Sequence, residues 1–173
     1  MDESNCMSAN INLTHQHVYT ALRSLIVDLL GCEVVQGMDN GVPMPKSDFV
    51  VMTILFENRL STNHTDYTDN EAEQSKHMTQ PTQLTVQLDC YGEQSGEWAQ
   101  ILSTTLRDEY ACDKLAPNCQ PLHADDPRMM QITNSEQQYE ERWMVTALLQ
   151  YNPTVTVAQD FFTSAQPVPV DVF

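Results

Sequence analysis

The histidines and acids of this 173-residue chain are the first candidates for chemistry. His15 and His17 could supply metal ligands, but on a helix two side chains at this spacing point about 200° apart and cannot easily share an ion. We interpret them as a polar first helical turn. An oxygen-rich run farther along has the spacing of no calcium loop and lacks its glycine, so we interpret it as a solvated acidic loop. Its members are His64, Asp66, Asp69, Glu71, Glu73 and His77.

Nucleophiles and acid/base pairs occur only as residue types. Asp125 and Asp126 could act as paired carboxylates, but turn formation before a proline explains them without catalysis. A small hydrolase using Cys112, Cys119 or His123 is a hypothesis with weak support, because closeness in sequence says little about closeness in space. The chain has no nucleophile elbow, phosphate-binding loop or dinucleotide fingerprint. We therefore predict a protein that is not an enzyme and needs no cofactor and no metal.

Composition excludes several partners. The formal net charge of −16 repels the phosphate backbone, so ordinary nucleic-acid binding and attraction to an anionic membrane are both disfavoured. The longest apolar stretches, such as Phe49 to Phe56, are far shorter than the roughly 20 residues of a membrane span. The N-terminus has neither a basic region nor an apolar run, so we expect no secretory signal and synthesis in the cytoplasm. Five cysteines without a C-x-x-C pair predict mostly reduced thiols, with a Cys112–Cys119 disulfide as the minor alternative.

The first half of the chain predicts one helix and two strands. Apolar residues at three- and four-residue intervals, with Thr14 as a cap and Gly31 at the end, predict an amphipathic helix from Thr14 to Leu30. Gly37 to Ser47 is predicted to be a surface loop. The run from Asp48 to Asn58 is apolar on both faces and predicts a covered strand. Arg59 to Gln80 is polar and aperiodic and predicts a long exposed or partly disordered loop.

The second half predicts a second helix and further strands. Thr82 to Tyr91 alternates apolar and polar residues, which is typical of a half-buried strand. A helical stripe follows from Ser95 to about Tyr110, and the three prolines between Asp113 and Arg128 predict a connector. Tyr139 to Tyr151 alternates again and predicts a long strand, with a helix as the weaker alternative. After Asn152-Pro153, the final predicted pieces are a short strand, Thr154 to Val157, and an extended proline-blocked tail, Gln166 to Phe173.

These elements predict an α+β fold: a mostly antiparallel β-sheet with two main amphipathic helices packed on one face. We expect a flexible N-terminus over residues 1–13 and one domain over 14–162. The 59–80 segment would be a polar insert loop of that domain. Residues 163–173 would form an extended C-terminal arm.

Two strings of residues carry a resemblance to a known family. One is E-Q-Q-Y-E-x-R-W, from Glu136 to Trp143, and the other is the V-x-Q-D-F-F ending, from Val157 to Phe162. With these strings the chain resembles the phage neck or tail-terminator proteins of long-tailed phages, over about Val18 to Phe162. The resemblance implies a virion protein that assembles as a ring, commonly of six copies, made in the cytoplasm of the bacterial host.

Such a ring caps the tail tube and joins the tail to the head connector or adaptor protein, and the tail sheath is a further possible neighbour. Genomic DNA passes through the bore without specific binding, and the excess of negative charge suits such a channel. The alternative hypothesis is a soluble acidic binding module, or a phage accessory protein, that forms no ring. Light scattering separates the two, since the alternative predicts a monomer or a dimer.

Function in a ring subunit resides in its interfaces. Tyrosine, tryptophan and arginine are enriched as interface anchors, and an extended tail can add a strand to the exposed edge of a neighbouring chain. On these grounds we predict that the interface residues include Tyr139, Arg142, Trp143, Phe161, Phe162, Val168, Val170 and Val172.

Overall fold

The computed structural model describes residues 9–38, 45, 48–69, 74–133 and 139–159 of the chain. The helices within these residues are α1 (His15–Leu30), α2 (Ser95–Thr105) and α3 (Glu109–Leu115). The strands are β1 (Asn10–Ile11), β2 (Glu33–Gln36), β3 (Phe49–Arg59), β4 (His64–Asp69), β5 (Gln74–Thr79), β6 (Thr82–Tyr91), β7 (Gln120–Ala124), β8 (Arg128–Thr133), β9 (Tyr139–Tyr151) and β10 (Thr154–Ala158).

The predicted α+β class is confirmed. The main sheet has the order β2-β3-β6-β9-β7, with β8 also paired to β9, and only the β2–β3 pair within it is parallel. β6 is the central strand, and it pairs along its length with β3 on one side and with β9 on the other. The predicted long strand from Tyr139 to Tyr151 is confirmed residue for residue.

The hydrophobic core lies on one face of this sheet. On β6, Leu84, Val86, Leu88 and Cys90 are all fully buried, and residues of all three helices join them in one cluster. The largest buried side chains of the helices are Leu22, Leu25, Ile26, Leu102 and Leu115, and Leu106, directly after α2, is buried with them. Burying a side chain of this size contributes about 1.5–3 kcal/mol, so the helices are held to the sheet mainly by the hydrophobic effect.

α1 begins and ends as its sequence predicts. Thr14 has an extended backbone, and its N–H donates to Nδ1 of His17 over 3.0 Å. This hydrogen bond gives a partner to a backbone N–H that has none within the helix. Gly31 has the left-handed backbone (φ 63°), and its N–H donates to the Val27 carbonyl. The interpretation of His17 as part of a polar first turn is therefore confirmed.

The predicted second helix is in fact two helices. α2 ends at Thr105, and α3 begins at Glu109 after a short turn. Asp108 causes the restart, because its Oδ1 accepts a hydrogen bond from the Tyr110 N–H and so caps α3. The connector predicted from Asp113 to Arg128 was likewise wrong, since it contains the end of α3 and all of β7.

The long loop predicted from Arg59 to Gln80 was wrong as well. This segment contains two antiparallel strands, β4 and β5, that pair with each other. β5 also pairs with β10, and β10 pairs with β1. We call these four strands (β1, β10, β5 and β4) the arm. Polar β-sheets without an apolar face have no hydrophobic periodicity, and for this reason the sequence pattern did not reveal the hairpin.

The arm continues the middle of the main sheet. β3 leads into β4, β5 into β6 and β9 into β10, and the three neighbours keep the same order in both sheets. Pro81 and Pro153 lie at the breaks, where the chain cannot donate to a regular ladder. Two backbone bonds still cross the break, from Leu60 N–H to the Pro81 carbonyl and from Gln80 N–H to the Pro153 carbonyl, both 3.0 Å.

β3 changes character along its length. Its first residues are buried as predicted, but from Leu55 onward every side chain is exposed, and Leu55 and Phe56 are 48% and 55% exposed. A register shift next to Leu55 accompanies the change. The prediction of a strand covered on both faces therefore holds only for its first half.

Several predicted segments lie outside the described residues. They are most of the N-terminal residues 1–13, most of the Gly37 to Ser47 loop and all of the predicted C-terminal extension, residues 163–173. No helix in the part of the chain that the structure describes is both long and apolar enough to cross a membrane.

Candidate interaction surfaces

The face of the main sheet opposite the helices carries a buried ion pair. Asp89 on β6 and Arg142 on β9 lie on neighbouring strands, and the guanidinium donates to Oδ1 of Asp89 from Nε over 3.0 Å and from a terminal nitrogen over 2.9 Å. The side chain of Asp89 is 5% exposed and that of Arg142 is 21% exposed. Gln87 donates to the second carboxylate oxygen over 2.7 Å, so both oxygens of Asp89 are occupied.

Two aromatic rings extend this pair toward the edge of the sheet. The Arg142 guanidinium lies 5.5 Å from the ring centre of Tyr91, a distance suited to cation–π attraction. Tyr91 stacks on Phe49 of β3, with ring centres 4.7 Å apart. The cluster therefore joins all three central strands on the helix-free face, and it holds Arg142 in one orientation.

The predicted interface residues are only partly brought together. Arg142 and Trp143 are adjacent in sequence, but they project from opposite faces of β9, Arg142 on the open face and Trp143 toward α2. A single flat surface therefore does not hold both side chains. Tyr139 begins β9, and its side chain is outside the described part of the structure, as are Phe161, Phe162, Val168, Val170 and Val172.

The sequence patterns predicted Arg142 as an interface residue, and they did not single out Asp89. Both residues occupy the polar parity of alternating strands, which ordinarily faces water. The sequence carries one signal for the pair: Asp89 is the one charged residue of β6, and Arg142 is the one basic residue of β9. Their contact depends on the β6–β9 register, which places Asp89 opposite Met144 and Tyr91 opposite Arg142, so that Asp89 and Arg142 are diagonal neighbours on one face.

A second polar cluster lies where the domain meets the arm. His15 of α1, Glu57 of β3 and Tyr151 of β9 come together, with Glu57 Oε2 at 2.9 Å from both His15 Nε2 and the Tyr151 hydroxyl. The hydrogen bond with His15 is the main cause that lowers the pKa of Glu57. Burial, and then the bond to Glu57, raise the pKa of Tyr151. The neutral Tyr151 hydroxyl donates to the Glu57 carboxylate and so connects β9 to β3. A structural role is sufficient to explain this arrangement.

The other candidates for chemistry are dispersed. His64 pairs with the neighbouring Asp66, and His77 of the same acidic run is surrounded by the hydroxyls of Thr68, Ser75 and Thr156. His15 contacts Glu57 while His17 caps its own helix, so the two do not converge. Within the described ranges no group of three or more His, Cys, Asp or Glu side chains could hold a metal ion.

The cysteine candidates differ in their surroundings. Cys112 lies in α3, and Cys119 is buried beside it in the core, and both are free thiols. Burial raises the pKa of Cys119 to about 12. A thiol with this pKa is almost entirely protonated at neutral pH and is a poor nucleophile. This environment does not favour the hydrolase hypothesis.

Comparison with known proteins gives a family for the chain. The family model described as phage neck terminator protein matches residues 16–172, which includes α1, the main sheet and most of the arm. The chain belongs to the phage neck terminator family. No curated protein matches it.

One similar solved structure is the sheath/tube terminator of an extracellular contractile injection system, PVC, determined by cryo-electron microscopy in the extended state. The TM-score is 0.45 and the sequence identity is 12%, and the match covers 94% of this chain. It covers 64% of the other chain, so this protein spans about two thirds of that structure's length.

Membership of the family indicates a structural protein of the phage tail. The predicted resemblance to neck and tail terminators is thereby confirmed. Three regions are therefore candidate contact surfaces: the Asp89–Arg142 cluster, the domain–arm junction and the surroundings of Trp143.

The ion pair on the open face generates a stability prediction. Arg142→Met leaves the Asp89 carboxylate buried without its cation, so we expect the free energy of unfolding in urea to fall by about 3 kcal/mol. Adding Asp89→Asn to this variant should restore part of the loss. Lys114→Met, which removes a half-exposed ion pair with Asp28, is the control and should cost less than about 1 kcal/mol. Equal losses in the two single variants would contradict the assignment.

Alkylation tests the cysteine environments. Because the pKa values of buried Cys90 and Cys119 are both raised to about 12, we expect iodoacetamide at pH 8 to modify neither thiol in the folded protein. Both should react fully in urea, as read by peptide mass spectrometry. Rapid native modification of Cys119 would show a reactive thiol and revive the hydrolase hypothesis.

Proposed function

We propose that the chain forms a homo-oligomeric ring at the phage neck that terminates the tail tube and provides the surface on which the head connector docks. The observation that carries this proposal is the family match, which covers both the helix-packed domain and the arm. The tail tube protein and the head connector are the expected partners, and the sheath is a further one if the tail is contractile. Synthesis in the bacterial cytoplasm precedes assembly.

The arm supports the idea of self-assembly. None of its own side chains belongs to the hydrophobic core cluster, and most residues of β4 are exposed. A sheet of a few strands without an apolar face packed on another layer is marginally stable alone, so contacts with neighbouring subunits would stabilise it. β4 and β1 are also edge strands of this sheet, and edge strands can accept a further strand from another chain.

The base of the arm carries the apolar surface that such contacts need. Leu55, Phe56 and Leu60 are each about half exposed (48%, 55% and 46%) and lie at the end of β3 that leads into the arm. Several exposed large apolar side chains in one short segment can mark a protein–protein interface. We place one side of the subunit contact here, next to the His15–Glu57–Tyr151 cluster.

Charge supports the assignment of a channel through the ring. With a net charge of −16, copies of the chain arranged around a bore would present DNA with a surface that repels it, so the genome would slide without binding. The acidic residues are spread over several elements, and a map of the assembled neck that shows which of them line the bore tests this part of the proposal.

The first experiment measures the size of the assembly. We expect native mass spectrometry and light scattering to show rings of about six copies, either for the isolated protein or once tail tubes are added. The variant Leu55→Ser/Phe56→Ser should abolish the ring while the circular dichroism spectrum stays unchanged, because both side chains are already exposed in the subunit. Val27→Ser, at an α1 position that is 42% exposed, is the matched control. A stable monomer or dimer that never assembles on tubes would instead support the acidic binding module.

The second experiment concerns the proline-rich tail. Within residues 163–173, prolines and valines alternate over 167–170, and such a segment can pair along one side with an exposed strand edge of a neighbour. We expect deletion of Gln166 to Phe173, which removes Val168, Val170 and Val172, to abolish rings or reduce their number severalfold in native mass spectrometry. Intact rings at the wild-type yield would show that the tail contributes nothing to assembly.

A further inference from the structure

A groove between α2 and the start of β9 has a composition that the tail-terminating role does not explain. Its volume is about 670 Å³, and it is open to solvent along one side. The half-buried indole of Trp143 lies at its base, with Ile101, 40% exposed, and Pro127 beside it. More of the groove's surface is apolar than polar. A tryptophan in an open apolar groove is a common anchor point for a bound partner.

Gly96 keeps the indole accessible. A Cβ atom at this position would lie 3.2 Å from Nε1 of Trp143 and 3.3 Å from Cε2, closer than ordinary van der Waals contact. Gly96 lies in the first turn of α2, where a glycine costs helix stability relative to alanine. Its presence therefore has a local consequence: the helix passes close to the indole without a side chain that would displace it or fill the groove.

Three carboxylates surround this apolar base. Glu93 lies in the turn before α2, and Glu97 lies in the first turn of α2. Glu141 comes from β9, two residues before Trp143 and on the same face of the strand. Such an arrangement favours a cation, which would gain both the attraction of the carboxylates and contact with the face of the indole. Arginine suits it best, since its planar guanidinium stacks on aromatic rings and donates to carboxylates in pairs.

The chain's nearby basic residues are directed elsewhere. Arg128 and Arg142 are next in sequence to the groove residues Pro127 and Glu141. The β8–β9 pairing nevertheless places both arginines on the face of the sheet opposite the groove, where Arg128 pairs with Met144 and Arg142 with Met130. Arg107 donates to the Ala124 carbonyl and to Asp126. Among the described residues that line the groove, none is basic.

The chain's remaining segments also fit poorly as occupants. Residues 1–8, 39–44, 46–47, 70–73, 134–138 and 160–173 include acids and a single basic residue, Lys46. Their charge is therefore the same sign as that of the groove, and repulsion disfavours them as ligands. We therefore infer that the occupant is a segment of a different protein, and the test below separates this from a second copy of the chain.

We propose that this groove binds an arginine-bearing extended segment of a partner protein, with one guanidinium stacked on Trp143 between Glu97 and Glu141. The proposal does not depend on the ring, since all of its residues belong to one subunit. It adds a specific docking point to the acidic surface, and it assigns Trp143 to partner binding and not to contacts between copies of this chain.

The test uses the full-length protein labelled with 5-fluorotryptophan, in which Trp98 and Trp143 give separate ¹⁹F resonances that Trp143→Phe assigns. The probe is a capped hexapeptide containing two arginines, and the same peptide with two citrullines is the neutral control. We expect a saturable shift of the Trp143 resonance with the arginine peptide only. Raising the salt from about 50 to about 200 mM, which roughly halves the Debye length, should weaken peptide binding severalfold because the charges are screened.

The variant Glu97→Gln/Glu141→Gln should weaken binding about tenfold or more, because both carboxylates that flank the guanidinium lose their charge. Glu109→Gln/Asp113→Asn makes the same change of charge on α3, outside the groove, and should bind as the wild type does. The proposal is overturned if the citrulline peptide binds equally well, if both double variants behave alike, or if Trp143 does not respond. It is also overturned if Glu97→Gln/Glu141→Gln abolishes the ring in native mass spectrometry, because the groove would then bind a second copy of this chain.

Discussion

The structure depends on the two unlike faces of β6. Its apolar parity, Leu84 to Cys90, is completely buried under the three helices, and the opposite parity holds Gln87 and Asp89 within the sheet. Because β3 and β9 pair along both edges of β6, a slip of one residue would exchange these faces and place a carboxylate in the core. The register of the central strands is therefore strongly specified, and every other element is positioned from it.

The Asp89–Arg142 pair follows from that register and gives the helix-free face a fixed centre. A buried ion pair contributes little net stability, because desolvation offsets much of the attraction, but the loss of one partner is costly. The pair therefore acts mainly to specify one arrangement of β6 and β9, with Tyr91 and Phe49 stacked against it.

The same three strands continue past Pro81 and Pro153 as the arm, so the domain core and the contact surface share one backbone. The residues at the transition, Leu55 and Phe56 together with the His15–Glu57–Tyr151 cluster, connect the helix layer to the exposed extension. On the other side of the sheet, the Trp143 groove faces away from the open-face cluster. The surface proposed for contacts between copies and the groove proposed for a basic partner are therefore separate regions of one subunit.

Local patterns in the sequence were sufficient for α1, β6, β9 and the α+β class, since capping residues and hydrophobic periodicity act within a few residues of chain. The E-Q-Q-Y-E-x-R-W string and the V-x-Q-D-F-F ending also indicated the family, which the match over residues 16–172 confirms. The β4–β5 hairpin, the break before α3 and the Asp89–Arg142 contact were not predicted. The hairpin has no apolar period, Asp108 caps a helix inside a continuous helical pattern, and the ion pair joins residues 53 positions apart. The hairpin and the ion pair depend on which strands pair and in which register, and only the tertiary structure decides that. The break before α3 is local, but the continuous helical pattern around Asp108 concealed it.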